Sequence, residues 1–150
     1  MLGPKLEATD MARKATAEWK GNLKGGNGLV ALGSGAYEGP YDFASRFENG
    51  EGTNPEELLG AALSGCYSMN LAHLLDTEGH TAERVHTTAK VHLGKTDDGF
   101  AVTLIELDVK ANVPGIEDSA FQGYAKKAEE TCIIARALAA TEVTMEATLE

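Results

Sequence analysis

The chain has 150 residues, of which 43% are hydrophobic and 24% charged, and its formal net charge at pH 7 is −10. A chain of this length is expected to form a single domain, residues 1–150, that buries most of the surface of its unfolded state. Because binding to phosphate groups needs lysine and arginine, this negative charge argues against nucleic acid as a partner.

The N-terminal segment has the composition of a tail. Its first ten residues include proline and charged residues and have no apolar stretch of the kind that a secretory signal contains. Residues 1–12 are therefore predicted to form a flexible tail, and the protein is expected in the cytoplasm. In that compartment stable structural disulfides are rare, and cysteine pairs are more often redox-active or catalytic.

Three extended segments are predicted before the first long helix. Residues 14–20 alternate small or apolar side chains with polar ones, which is the period of a half-buried strand. A glycine-rich turn at 21–28 leads to an apolar strand at 29–32, and its glycines lack the spacing of a phosphate-binding loop. A third strand is predicted at 41–47.

A long helix is predicted from Asn54 to about Gly79. Asn54 suits the N-cap, Pro55 the first helical position, and Glu57 the third, where it completes a capping box. The body of the helix, 58–75, carries no formal charge, so it is predicted to be buried nearly all round. It has the length of a membrane span, but its glycine, serine, asparagine and histidine residues favour a soluble core helix, and no membrane partner is expected.

The remainder of the chain predicts a hairpin, a helix and a strand. The hairpin joins 84–93 to 100–109 through the turn at 96–99, and the helix covers about 116–130. A short further helix is expected after Cys132, and the last strand is predicted at 142–150. The predicted order is β-β-β-α-β-β-α-β, a mostly antiparallel α+β fold.

Cys66, on the long helix, and Cys132, just after the second helix, are the two cysteines of the chain. The thiolate is the reactive form of cysteine and apolar burial raises the thiol pKa, so a nucleophilic Cys66 needs a nearby cation. From the residues alone, Cys66 is equally well interpreted as a small core residue, and the spacing does not establish a redox pair. The chain lacks CxxC and regular histidine spacing, so neither a metal nor another cofactor is predicted.

Two charged residues ahead of Cys66 are candidates for its environment. Arg46 falls on the predicted third strand, and Glu56 precedes Cys66 by ten residues, nearly three helical turns. An arginine oriented by a carboxylate can stabilise a thiolate or polarise a peroxide oxygen. Glu56 is also explained by a favourable interaction with the helix dipole.

The segment GTNPEELLGAALSGC, residues 52–66, resembles the signature of the OsmC/Ohr family, and residues 41–48 and 113–116 resemble its OsmC branch. The resemblance extends from about residue 11 to the end. It implies an intertwined homodimer in which two sheets enclose long central helices, with active sites at the subunit interface. Two departures stand out: Ile133 follows the second cysteine where the family usually has proline, and the glycine-rich turn offers Lys24 instead of the arginine of the Ohr branch.

The resemblance also implies a function. It is that of a thiol-dependent peroxidase in oxidative and osmotic stress defence, reducing organic hydroperoxides, and hydrogen peroxide less efficiently, to alcohol and water. By position, Cys66 would be the peroxidatic cysteine and Cys132 the resolving cysteine, and the two would close an intramolecular disulfide. Arg46 would stabilise the Cys66 thiolate and Glu56 would hold Arg46. A lipoyl-type or other dithiol would reduce the disulfide.

Two other functions remain open on the sequence. One is a non-catalytic protein that binds a small apolar ligand on the same fold, and the other is a structural dimer with inert core cysteines. Turnover of an alkyl hydroperoxide distinguishes the enzyme from both.

Overall fold

The structure, a computed structural model, describes residues 11–150. The predicted tail, 1–12, therefore falls almost wholly outside the described residues. The chain divides into two compact units, one ending at Asn54 and the other running from Pro55 to Glu150. The expectation of one domain over 1–150 stays a prediction.

The first unit contains a three-stranded antiparallel sheet in the order β1-β2-β3. The strands are β1 Ala15–Lys20, β2 Asn27–Leu32 and β3 Glu38–Tyr41. The glycine-rich turn joins β1 to β2, as predicted for a hairpin connection. At Gly26 an added Cβ would lie 2.3 Å from the carbonyl oxygen of Asn22, so only glycine lets this turn close so tightly.

The prediction of a third strand at 41–47 is wrong. The strand β3 ends at Tyr41, and a short helix, α1 Phe43–Phe47, follows it. The cause is a capping box: the Ser45 amide donates to Asp42 Oδ1 at 2.7 Å, and the Asp42 amide donates to Ser45 Oγ at 2.9 Å. Arg46 therefore lies in the last turn of a helix and not on a strand.

The second unit holds the long helix and a second three-stranded sheet. Its elements are α2 Pro55–Thr77, β4 Arg84–Thr96, β5 Gly99–Asn112, α3 Asp118–Thr131, α4 Ile133–Ala137 and β6 Val143–Leu149. The sheet order is β4-β5-β6; β4 pairs with β5 antiparallel, and β6 pairs with β5 parallel. The parallel pair arises because α3 and α4 together form the crossover between β5 and β6. The predicted α+β class and mostly antiparallel pairing are confirmed, as is the short helix after Cys132.

The core of this unit lies between α2, the sheet and α3. The helix α2 buries one residue in four, and the central strand β5 buries alternate residues, as the two backbone periods require. These side chains are Leu63, Tyr67, Leu71 and Leu75 on α2 and Ile105, Leu107, Val109 and Ala111 on β5. Burial of each large one stabilises the fold by roughly 1.5–3 kcal/mol.

The prediction that α2 is buried nearly all round is wrong for the single chain. Only 28% of its most apolar 18-residue stretch is buried. One face of the helix packs on the sheet, α3 and α4 cover an adjoining face, and the rest is open. Gly65 is exposed and Met69 is 77% exposed. Among the described residues α2 is also the one helix long and apolar enough to cross a membrane, by length and composition only. Its buried stripe is that of a core helix.

Candidate active site

The structure brings the two cysteines together. The Sγ atoms of Cys66 and Cys132 lie 2.9 Å apart, and both are free thiols. Cys66 lies in the middle of α2 beside the buried stripe and is partly exposed, whereas Cys132 is fully buried. The two thiols are therefore adjacent but differ in burial, with Cys66 the more exposed residue of the pair.

Cys132 occupies the junction between two helices. Its backbone is extended, with φ −61° and ψ 124°, so it ends α3 and begins α4. Its amide donates to Ala128 O at 2.9 Å, and its carbonyl accepts from the Arg136 amide at 2.9 Å. Both helices thus fix the backbone of Cys132, and the position of its thiol depends on how they pack against α2.

The Cys132 thiol is held in its protonated form. Burial raises the pKa of Cys132, and the hydrogen bond that its thiol donates to Cys66 Sγ acts in the same direction. Hydrogen bonds with the backbone at Ala135 and Ile134 oppose this rise in pKa. In the reduced protein Cys132 is therefore the donor and Cys66 the acceptor of the contact between the sulfurs.

Two polar residues that follow Cys66 on α2 bind to α3. Tyr67 Oη lies 2.9 Å from Ala125 O and 3.0 Å from Met145 Sδ. Asn70 Nδ2 donates to Ala128 O at 3.0 Å and to Thr131 Oγ1 at 2.9 Å. Sequence reasoning did not single out either residue. The signal available for Asn70 was a side chain with two donors in the uncharged body of the helix, 58–75.

Tyr67 titrates outside the usual range of a phenol. Burial raises its pKa, and the negative charge of Glu129 and the nearby Cys132 add to the rise. Tyr67 therefore stays protonated and keeps the hydrogen that it donates at the α2–α3 contact.

The other two predicted site residues lie apart from the thiols along the chain. Arg46 belongs to the first unit, where it lines a cleft of about 260 Å³, and its guanidinium carbon lies 5.3 Å from the centre of the Phe47 ring. The remaining lining residues of this cleft are mainly aromatic: Trp19, Leu23, Tyr41, Asp42, Phe43 and Phe47. Glu56 is half-buried in the first turn of α2, roughly 15 Å along the helix axis from Cys66.

Within residues 11–150 no group of three or more histidine, cysteine, aspartate or glutamate side chains is arranged to hold a metal ion. One histidine–carboxylate pair is present: His92 Nε2 contacts Glu106 Oε2 on the exposed side of the sheet.

Residues 48–148 match the family described as OsmC-like protein. The chain belongs to this family. It is 44% identical over 135 residues to Peroxiredoxin OsmC of Escherichia coli, an alignment that covers 89% of this chain and 94% of that protein. The prediction of the OsmC/Ohr family is confirmed, and so is the prediction of a cysteine-based peroxidase.

Solved structures agree with the fold. An organic hydroperoxide resistance protein from Elizabethkingia anophelis aligns with a TM-score of 0.74 at 26% identity, over 96% of this chain and 100% of that one. An OsmC-like protein from Vibrio cholerae aligns with a TM-score of 0.75 at 20% identity, over 93% and 100% of the two chains. The roles of Cys66, Cys132, Arg46 and Glu56 stay predictions.

Proposed function

We propose that this peroxidase reduces organic hydroperoxides through Cys66 and Cys132. The observation that carries the proposal is the 2.9 Å separation of two thiols of unequal exposure. A peroxidatic thiol must meet a substrate from solvent, whereas a resolving thiol needs only to meet the first sulfur. The partly exposed Cys66 suits the first role and the buried Cys132 the second.

In the first step the Cys66 thiolate attacks the distal oxygen of the hydroperoxide. The S–O bond forms as the O–O bond breaks, the alkoxide leaves and takes up a proton, and the products are an alcohol and a Cys66 sulfenic acid. The sulfur is oxidised by two electrons and the peroxide is reduced by two. With hydrogen peroxide the leaving group is hydroxide and the product is water.

In the second step Cys132 attacks the oxidised sulfur of Cys66. The S–S bond forms as the S–O bond breaks, and the hydroxide leaves as water with the thiol proton of Cys132. A dithiol of the lipoyl type, or another cellular thiol donor, then exchanges with the disulfide and returns both cysteines to thiols. A reducing compartment such as the cytoplasm would supply that dithiol.

Two exposed apolar residues near the cysteines along the chain support a preference for organic substrates. Met69, three residues after Cys66 and so on the adjoining helix face, is 77% exposed, and Ile133, next to Cys132, is 74% exposed. An alkyl or aryl substituent that covers such side chains gains free energy of binding from buried apolar area, which hydrogen peroxide cannot do. The name of the Elizabethkingia anophelis relative points in the same direction.

We further propose a homodimer in which α2 meets a second copy. In the single chain most of this apolar helix is open, and an added Cβ at Gly65 would meet no atom within 4 Å. Glu56 lies too far along the helix to hold an arginine directly against Cys66 of its own α2. We therefore assign Arg46 and Glu56 to the active site of the partner copy, where Arg46 stabilises the Cys66 thiolate.

A stopped-flow experiment on the reduced protein tests the function. Cumene hydroperoxide should consume both thiols of each chain faster than hydrogen peroxide does. Cys66→Ser should abolish consumption of peroxide, and Cys132→Ser should give one turnover and stop at the sulfenic acid. Wild-type protein that binds an apolar ligand and keeps both thiols would instead be the non-catalytic binding protein.

A further inference from the structure

We propose that Asn70 is a positioning residue: its carboxamide ties the end of α3 to α2 and so holds Cys132 beside Cys66 for disulfide formation. The inference rests on the proposed function, because it concerns the second step of that reaction. It assigns the balance between disulfide formation and irreversible oxidation to a side chain whose described hydrogen bonds go to α3 and not to either sulfur.

The contacts of Asn70 lead directly to the backbone of Cys132. Asn70 lies four residues after Cys66, one turn further along the same face of α2. Its Nδ2 atom donates to Ala128 O at 3.0 Å, and the Cys132 amide donates to the same oxygen at 2.9 Å. The carbonyl of Ala128 therefore joins the helix of the first cysteine to the backbone of the second.

The second contact of Asn70 is to the residue directly before Cys132. Nδ2 also donates to Thr131 Oγ1 at 2.9 Å, so both hydrogens of the carboxamide are used. Thr131 Oγ1 gives its own hydrogen to Lys127 O at 2.7 Å, so it can only accept from Asn70. A side chain that only accepts, such as aspartate, cannot replace asparagine here.

Apart from its backbone hydrogen bonds and the burial of Cys132, the junction has few other restraints among the described side-chain hydrogen bonds. The helix α4 is five residues long, and its first residue, Ile133, is 74% exposed and does not restrict φ as proline would. Tyr67 binds α3 two turns earlier, at Ala125 O. Asn70 is thus the side chain of α2 that binds α3 nearest to Cys132 among the described hydrogen bonds.

The position of Cys132 matters because two reactions compete for the sulfenic acid. Attack by Cys132 gives the disulfide, whereas a second peroxide molecule gives the sulfinic acid, which a dithiol does not reduce. An oriented neighbouring group reacts as if it were at very high concentration, and loss of orientation lowers that rate steeply. Loosening the junction should therefore slow disulfide formation and increase sulfinic acid, while attack of Cys66 on peroxide continues as before.

The test uses rapid mixing with cumene hydroperoxide, followed by acid quench and mass spectrometry of the Cys66 and Cys132 peptides. For Asn70→Ala we expect an unchanged rate of sulfenic acid formation and about a tenfold slower disulfide formation, the ratio that corresponds to one or two lost hydrogen bonds. The fraction of Cys66 sulfinic acid at excess peroxide should rise accordingly. Thr131→Val should show a smaller change of the same kind, and Thr131→Ser, which keeps the oxygen, should restore the wild-type rate.

Ser68→Ala is the matched control. Ser68 lies on the same helix, and its hydroxyl donates at 2.7 Å to Thr87 Oγ1 on β4 and not to α3. It should leave the ratio of the two steps unchanged. Disulfide formation at the wild-type rate in Asn70→Ala and Thr131→Val, or an equal slowing in Ser68→Ala, would overturn the inference alone. Wild-type protein that keeps both thiols would overturn the proposed function and this inference with it.

Discussion

Cys66 and Cys132 place their sulfurs 2.9 Å apart, yet Cys132 has no exposed surface and Cys66 does. The two adjacent cysteines therefore differ in solvent exposure. The difference follows from the fold, because Cys66 borders the buried stripe of α2 whereas Cys132 is the buried junction residue between α3 and α4.

The first prediction concerns alkylation of the reduced, folded protein. Iodoacetamide should modify Cys66 at least about tenfold faster than Cys132, because burial hides the second sulfur and raises the pKa of its thiol. Peptide mapping after timed quenching measures both rates. In denaturant the two rates should converge. Preferential labelling of Cys132 in the folded protein would contradict the assignment.

The second prediction concerns the pH dependence of disulfide formation. Because burial raises the pKa of Cys132, little thiolate is present at neutral pH, and each rise in pH increases it. After sulfenic acid has formed, disulfide formation should therefore accelerate as the pH rises from 7 to above 9. A pH-jump experiment on protein treated with one equivalent of peroxide measures this step. A rate that is flat over this range would contradict the prediction.

The third prediction concerns Tyr67. Tyr67→Phe removes the hydrogen bond to Ala125 O and should lower the free energy of unfolding by about 0.5–1.5 kcal/mol in urea titrations of the reduced protein. The folded-state pKa of Tyr67 is raised, so the stabilisation is fully present below the ordinary pKa of tyrosine and is lost as the pH rises further. The difference in stability between wild type and Tyr67→Phe should therefore shrink in strong alkali. A difference that grows with pH would contradict this assignment.

The fourth prediction tests the dimer. Gly65→Leu should convert the protein to a monomer in light scattering if α2 packs against a second copy, since the leucine side chain enters that contact. Gly123 on α3 is the matched control: it is also an exposed helical glycine with no atom within 4 Å of an added Cβ. Gly123→Leu should keep the dimer and should stabilise each chain slightly through helix propensity. A dimeric Gly65→Leu protein would remove this face from the interface.

The fifth prediction tests the arginine. Arg46→Lys keeps the positive charge but loses the planar guanidinium, so it should slow the first step with peroxide markedly while leaving the thermal transition unchanged. Disulfide formation from sulfenic acid should proceed at the wild-type rate. An unaltered first step would exclude Arg46 from the mechanism.

The sequence predicted most elements that depend on local pattern, with α1 as the exception, and missed features that depend on packing. The residues of α2 and of the β4–β5 hairpin carry their own periodicity and turn residues, so their positions could be predicted. The helix α1 was predicted as strand because its capping box, Asp42 with Ser45, was not recognised. The role of Asn70 could not be predicted because its partners lie 58 and 61 positions away and are found only when α3 packs on α2.

The degree of burial of α2 also could not be predicted from the sequence alone. The uncharged helix body, 58–75, indicates burial, but the sequence does not indicate whether the same chain or a second copy covers it. One chain covers one stripe, from Leu63 to Leu75, and leaves Met69 open. The proximity of Cys66 and Cys132 could not be predicted from their spacing; it follows from the crossover that carries α3 back over α2 on its way to β6.

That crossover has a thermodynamic consequence. A bond between the two cysteines would close a loop of 66 positions that contains β4, β5 and α3. A cross-link of this span restricts the unfolded chain enough to stabilise the folded state by about 4 kcal/mol. The oxidised enzyme should therefore melt at a higher temperature than the reduced one, so that the form awaiting its electron donor is also the form that best withstands heat.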